Sequence, residues 1–154
     1  MFHFQAQYLD APTVASGVIE TLRDEGSAVI MDIGGGSHGS HMIGQFSHLL
    51  NSANTLVLYI VNPFRPWSGS REDIEVTMRR VLGAARLGSF RLVANPNLGP
   101  ETRAEDVLAG LRRFQGLFPG GEALFACALE ELVSKLAGQV REPRLPIRLH
   151  THPE

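Results

Sequence analysis

The sequence is poor in several residue types, and each shortage excludes something. It contains a single cysteine, Cys127, which excludes an internal disulfide, so the fold does not require an oxidising compartment. The net charge of −2 gives no reason to expect nucleic acid or an anionic membrane as a partner. The longest strongly apolar run, residues 56–61, is far shorter than the roughly 20 residues that cross a bilayer. Because no signal peptide is visible either, we expect a cytoplasmic protein.

What is present is typical of one globular α/β domain over residues 1–154. Hydrophobic residues make up 44% of the chain and charged residues 19%, which are ordinary values for a folded protein. Short apolar runs alternate with segments of helical periodicity, about one pair every 30 residues, which is typical of parallel βαβ units. We therefore predict a three-layer α/β/α domain with a mainly parallel sheet and helices on both sides.

The predicted elements follow from periodicity and from turn residues. Apolar runs predict strands, and i, i+3, i+4 spacing behind a capping residue predicts helices. The predicted strands cover residues 28–33, 55–61, 90–94 and 145–149. The predicted helices begin near Thr13, Ser40, Ser70, the capping-box pair Thr102 and Glu105, and Ala123, the last of them reaching Gly138.

The stretch from Ala28 to Phe46 organises these predictions. Its apolar run ends on Asp32, three glycines (34–36) follow, and a helical pattern begins after Gly39. In open α/β sheets, ligands bind at the carboxyl ends of the strands, so this arrangement predicts a ligand-binding edge there. The alternative is a strand-end aspartate that accepts hydrogen bonds from the amides of its own loop.

Several segments, in the correct order, resemble the ParA/MinD/CobQ-like P-loop ATPases. The similar segments are Asp32-Ile33-Gly34-Gly35 with Gly39 and Gly44, Asn62 with Arg65-Pro66, residues 85–87, residues 95–102 and residues 105–110. The resemblance covers about residues 28–110 and implies a truncated P-loop NTPase-like, Rossmann-like fold. It further implies ATP and Mg²⁺ as cofactors. On this resemblance Asp32 is a Walker B-like catalytic residue that holds Mg²⁺ through a water molecule, and the nucleotide contacts are Gly34, Gly35, Asn62, Arg65 and Asn95.

The chain departs from this family at the phosphate loop. No G-x-x-x-x-G-K-[ST] segment occurs, and the only lysine is Lys135. We therefore expect a degenerate or partial nucleotide-binding-type domain, a binding or regulatory module that does not hydrolyse ATP alone. The alternative is a fragment of an intact ATPase whose phosphate loop lies upstream or on another chain.

Other interpretations of the same residues stay open. Arg65 is more readily explained as a solvated surface arginine than as an anion contact, and Asn95 and Asn97 beside Pro96 are typical turn formers. Histidines suggest a metal-binding module, although no paired ligand motif occurs; the candidates are His38, His41, His48, His150 and His152. A homo-oligomer is a further possibility, because an open sheet edge needs cover.

Overall fold

The computed structural model describes residues 17–34 and 37–150, and over these residues the chain is an α/β protein. The helices are α1 (Val18–Arg23), α2 (Ser37–Gly44), α3 (Ser47–Leu50), α4 (Arg71–Ala85), α5 (Ala104–Leu117) and α6 (Glu130–Val133). The strands are β1 (Leu58–Val61), β2 (Arg91–Ala94), β3 (Ala126–Leu129) and β4 (Arg144–Ile147), and a 3₁₀ turn covers Pro66–Ser68. No described helix combines the length and the apolar character needed to cross a membrane.

The strands form one parallel sheet in the order β1-β2-β3-β4. Leu58 lies opposite Arg91 and Val61 opposite Ala94, and Ala128 lies opposite Pro146 at the other end of the sheet. Each strand runs parallel to its neighbour, as a helical crossover between successive strands requires. The predicted α/β class with a parallel sheet is therefore confirmed, whereas the three-layer arrangement and the P-loop relation stay predictions.

Contacts divide the chain into two units. The described part of unit 1 comprises residues 17–34, 37–55 and 79–89, and that of unit 2 comprises residues 56–78 and 90–150. The sheet lies entirely in unit 2. Helix α4 contributes its first residues to unit 2 and its last turns to unit 1.

The hydrophobic core of unit 2 lies between the sheet and α5. Strand residues Val61 and Ala94 pack with Val107, Leu111 and Phe114 of α5. Those three helix positions follow i, i+4, i+7 spacing, so they share one face of the helix. The Phe114 and Phe118 rings lie 5.0 Å apart and extend this face beyond the end of the helix.

Unit 1 is held by close helix packing and by one asparagine. A Cβ atom on Gly44 of α2 would lie 2.6 Å from the Ala84 carbonyl oxygen, so the two backbones meet where a side chain would not fit. The Asn51 amide donates to the Arg86 carbonyl and accepts from the Gly88 N–H, at 2.8 and 3.0 Å. These bonds fix the chain just after α4 ends. Arg86, the first residue after the helix, has a left-handed φ of 54°.

The strand predicted over residues 28–33 is wrong. These residues form neither a strand nor a helix, and Ile30 is 96% exposed. An apolar run becomes a strand only where a neighbour supplies hydrogen bonds, and none of the four sheet strands pairs with this segment. Helical spacing after it is confirmed, but as two short helices, α2 and α3, rather than one. The Thr13 cap lies outside the described residues.

The helix predicted over residues 123–138 is wrong as well. Its first half contains β3, and all four residues of β3 are buried; only Glu130–Val133 form α-helix. The apolar, uncharged run 123–129 offers no polar face, so a strand buried on both faces suits it better than a surface helix.

Candidate functional site

Three asparagines, Asn62, Asn95 and Asn97, lie just beyond the carboxyl ends of β1 and β2 in unit 2; we call them the asparagine cluster. Because β1, β2 and β3 are parallel, the loops that follow them meet at one edge of the sheet. This is the edge at which open α/β sheets bind ligands. The structure therefore brings predicted site residues Asn62 and Asn95 to neighbouring strand ends.

The Asn62 side chain joins the loop after β1 to the loop after β2. Its amide nitrogen donates to the Asn97 carbonyl oxygen at 2.8 Å, and its side-chain oxygen accepts the Phe64 N–H at 3.0 Å. The second bond is an Asx turn, the conformation that asparagine favours at loop starts. Asn62 is thus a residue that positions both loops through main-chain groups.

Asn97 connects the second and third strand ends and has one unsatisfied atom. Its amide nitrogen donates to the Asn95 side-chain oxygen at 2.5 Å and to the Cys127 carbonyl oxygen at 3.2 Å. Its own side-chain oxygen is buried and accepts no hydrogen bond from the described residues. Buried polar atoms of this kind are rare in folded proteins and call for a water molecule or a ligand. The sequence suggested Asn97 only as a turn former.

Thr102 shapes the loop after β2 instead of capping α5. Its hydroxyl accepts the Leu98 N–H at 2.9 Å and donates to the Gly99 carbonyl oxygen at 2.6 Å. Helix α5 begins one residue later, where the Asp106 carboxylate accepts the Arg103 N–H at 2.9 Å. The predicted capping box of Thr102 and Glu105 is therefore wrong by one residue, because the loop has already engaged the threonine hydroxyl.

Gly110 of α5 allows both loops to lie against the helix. A Cβ atom at this position would lie 2.4 Å from the Pro96 Cβ and 2.9 Å from the Phe64 Cε2. Both distances are shorter than van der Waals contact, so only glycine fits here. This close packing fixes the backbone on either side of the asparagine cluster.

Arg65 and Trp67 form an exposed pair in the loop after β1, the loop that begins with Asn62. The Arg65 Cζ lies 5.9 Å from the Trp67 ring centroid, within cation–π range, and Trp67 is 60% exposed. Pro66 lies between them and begins the 3₁₀ turn. An indole and a guanidinium held together at the surface can provide a stacking face and a positive charge to one ligand.

The predicted Walker B-like residue lies elsewhere in the chain. Asp32 and Gly34 are exposed residues of unit 1 without regular secondary structure, and Gly35 lies outside the described residues. A carboxylate that holds a magnesium-bound water in P-loop enzymes depends on a fixed position. No described strand ends at Asp32, so the structure does not provide the strand-end position that the sequence predicted for it.

The histidines do not assemble a metal site in the described part of the chain. Over residues 17–34 and 37–150, no three side chains of His, Cys, Asp or Glu are grouped so as to hold a metal ion. His41 lines a surface pocket of about 220 Å³ in unit 1 together with Gln45 and Arg86. The His38 side chain and His152 lie outside the described residues, and the metal-binding alternative stays a prediction for them.

Cys127 lies in β3 and contacts the asparagine cluster through its main chain. Its side chain is buried in β3, and burial raises the pKa of the thiol above its ordinary 9.0. A thiol of this kind is a poor nucleophile at neutral pH. Its carbonyl oxygen, which accepts from Asn97, is the atom that contributes to the site.

Comparison with protein-family models, with curated proteins and with solved structures gives no match to this chain.

Proposed function

We propose that the asparagine cluster, together with Arg65 and Trp67, is the ligand surface of a degenerate or partial ParA/MinD-like nucleotide-binding-type domain. The ligand is a nucleotide, and the module binds it without hydrolysing it. The observation that carries the proposal is the buried, unsatisfied side-chain oxygen of Asn97 at the carboxyl ends of parallel strands. Ligand binding at this edge is a general property of open α/β sheets.

The unsatisfied oxygen determines the polarity of the group that it would bind. It is a fully buried acceptor, so the ligand has to present an N–H or O–H donor, such as the exocyclic amine of a base, and the loops after β1 and β2 have to open to admit that donor. A buried acceptor without a donor costs about 1–3 kcal/mol. A hydrogen bond from a ligand donor to the Asn97 oxygen removes this cost and so contributes that free energy to binding. An oxygen that already accepts a hydrogen bond would contribute less.

Arg65 and Trp67 complement this acceptor with charge and aromatic surface. Stacking of a base on an aromatic side chain contributes about 1–3 kcal/mol. The guanidinium can form paired hydrogen bonds with phosphate oxygens. A ligand that carries an amine, a flat ring and phosphate uses all three features, and nucleotides have all three.

Hydrolysis needs groups that the sequence does not contain. A phosphate loop supplies backbone N–H groups, a lysine and a magnesium-binding hydroxyl, and this chain has no such segment; its one lysine, Lys135, follows α6. We therefore expect binding with little dependence on magnesium and no turnover. Magnesium-dependent ATP hydrolysis that is lost in Asp32→Ala would overturn this part of the proposal.

Isothermal titration of the purified chain with ATP, ADP and adenosine, with and without magnesium, tests the proposal. Binding should weaken about tenfold or more in Trp67→Ala and in Arg65→Ala, which corresponds to about 1.4 kcal/mol each. Arg113→Ala, which removes an exposed arginine from α5 of the same unit, is the matched control and should bind as the unaltered chain does. The absence of any binding heat at millimolar nucleotide would refute the proposal, and so would equal weakening in the control.

A further inference from the structure

The outer edge of β1 exposes main-chain groups that no described strand covers. The Val57 and Val61 carbonyl oxygens accept hydrogen bonds from the Arg91 and Asn95 N–H groups, at 2.9 and 2.8 Å. Backbone groups alternate in direction along a strand, so Leu58 and Ile60 point their N–H and C=O groups away from β2. In the sheet order β1 is terminal, and no described strand lies on that side.

The side chains along this edge are apolar and uncharged. Leu58 and Ile60 lie on one face of β1, and Leu56 precedes the strand by two residues; Leu56, Leu58 and Ile60 are 62, 38 and 58% exposed. Residues 54–63 contain no charged side chain. Edge strands in soluble proteins are usually very short, or carry lysine, proline or a bulge that prevents pairing with another chain. With four residues β1 is short, but it contains no lysine, proline or bulge.

The opposite edge of the same sheet shows the protection that β1 lacks. The Ala126 N–H donates to the Pro143 carbonyl oxygen at 2.8 Å, so the even-numbered residues of β4 face outward. Pro146 therefore occupies an outward position, where it has no N–H to offer to another strand. It is flanked by the charged residues Arg144 and Arg148. Over the described residues, one edge of the sheet is therefore blocked and the other is not paired with a strand.

We propose that β1 pairs with β1 of a second copy of this chain, antiparallel and about a two-fold axis. A two-fold axis brings equivalent residues of one strand close together, so a charged edge would repel itself. The uncharged segment 54–63 avoids that repulsion, and this favours a second copy as the occupant. The inference goes beyond the proposed function and does not depend on nucleotide binding.

The pattern of the strand also selects a register. When the axis passes beside Leu58, that residue lies opposite the partner subunit's Leu58, and Leu56 lies opposite the partner subunit's Ile60. The Leu58 pair then exchanges about two main-chain hydrogen bonds, and about four more form where β1 extends by two residues to include Leu56. Residues that lie opposite each other share a face, so the exposed apolar side chains of both copies form one continuous stripe.

Sedimentation equilibrium of the full chain over a wide concentration range tests the proposal. The mass should rise from 16.8 kDa towards twice that value. Leu58→Pro removes an outward N–H without removing a bond to β2, and Leu58→Lys adds a charge opposite its own copy. Each should weaken dimerisation about tenfold or more. If circular dichroism shows that the proline variant does not fold, Leu58→Lys provides the test.

Leu145→Lys is the matched control, because Leu145 is also an exposed leucine on that face of the sheet but belongs to β4. Leu145→Lys should leave the dimerisation affinity unchanged. If the dimer instead formed by stacking of sheet faces, Leu145→Lys would weaken it as well. Hydrogen exchange gives a second readout. The Leu58 and Ile60 amides should become protected only at dimer-forming concentrations, while the Val61 amide is protected at all concentrations. A strict monomer, a dimer that survives Leu58→Lys, or equal weakening in the control would overturn the proposal.

Discussion

Replacing Gly110 by alanine tests how the candidate site is held in place. The added Cβ would lie 2.4 Å from the Pro96 Cβ and 2.9 Å from the Phe64 Cε2. Pro96 is fully buried and its ring is rigid, so it cannot rotate away. The methyl group must therefore push the loops after β1 and β2 away from α5.

Two opposing contributions determine the size of the effect. Forcing an extra methyl group into a packed site costs about 1–3 kcal/mol. Alanine is also a better helix former than glycine by about 1 kcal/mol, which offsets part of that cost. Gly116 of the same helix has open space where its Cβ would be, so Gly116→Ala gains the second contribution without the first. The difference between the two variants isolates the packing cost.

Urea unfolding followed by far-ultraviolet circular dichroism measures this difference. Gly116→Ala should raise the free energy of unfolding by up to about 1 kcal/mol. The free energy of unfolding of Gly110→Ala should be about 1–3 kcal/mol lower than that of Gly116→Ala. Equal stabilities of the two variants would refute the close packing of α5 against Pro96 and Phe64. Because the displaced loops carry the asparagine cluster, Gly110→Ala should also weaken nucleotide binding.

Three further predictions concern single side chains. A hydrogen bond from Arg148 lowers the pKa of Glu130 from its ordinary 4.5, so the stabilisation by this exposed pair is present above pH 4.5 and lost as the pH falls through the lower folded value. In Glu130→Gln, the free energy of unfolding should therefore fall less steeply with acid, and an unchanged pH profile would contradict the ion pair. Burial raises the pKa of the Cys127 thiol, so a disulfide reagent followed by absorbance should react much more slowly with the native chain than with the urea-unfolded one. Thr102→Val removes the hydroxyl that makes two loop hydrogen bonds, and should lower the free energy of unfolding in urea by about 1–3 kcal/mol, whereas Thr102→Ser should lose less.

The sequence predicts most of the elements around the sheet because their signals are local. Apolar runs bounded by turn residues identify β1 and β2, and the i, i+4, i+7 spacing identifies α5. The residues at the strand ends follow from the same boundaries, which is why Asn62 and Asn95 could be placed at one edge. These features depend on short stretches of chain and need no knowledge of distant partners.

The features that the sequence does not predict depend on distant partners. Residues 28–33 have strand composition but no hydrogen-bonding neighbour in the described sheet. The sequence does not predict the hydrogen bond from Asn97 to the Cys127 carbonyl oxygen, since its apolar run 123–129 predicts a helix where the structure has β3. A wrong secondary-structure prediction for one segment therefore prevents prediction of the contacts that other segments make with it. The burial of the Asn97 side-chain oxygen follows only from the three-dimensional structure.

The two proposals meet at β1. The loop that follows this strand contains Asn62 and Arg65, and an antiparallel partner strand would bring the turn before the partner's β1 next to that loop. A ligand that binds the loop then differs in its contacts between monomer and dimer. Coupling of this kind is reciprocal, so a nucleotide that favours the dimer must itself bind more tightly to the dimer than to the monomer. A nucleotide that leaves the monomer–dimer equilibrium unchanged would therefore bind both states equally tightly, and sedimentation equilibrium with and without nucleotide distinguishes these cases.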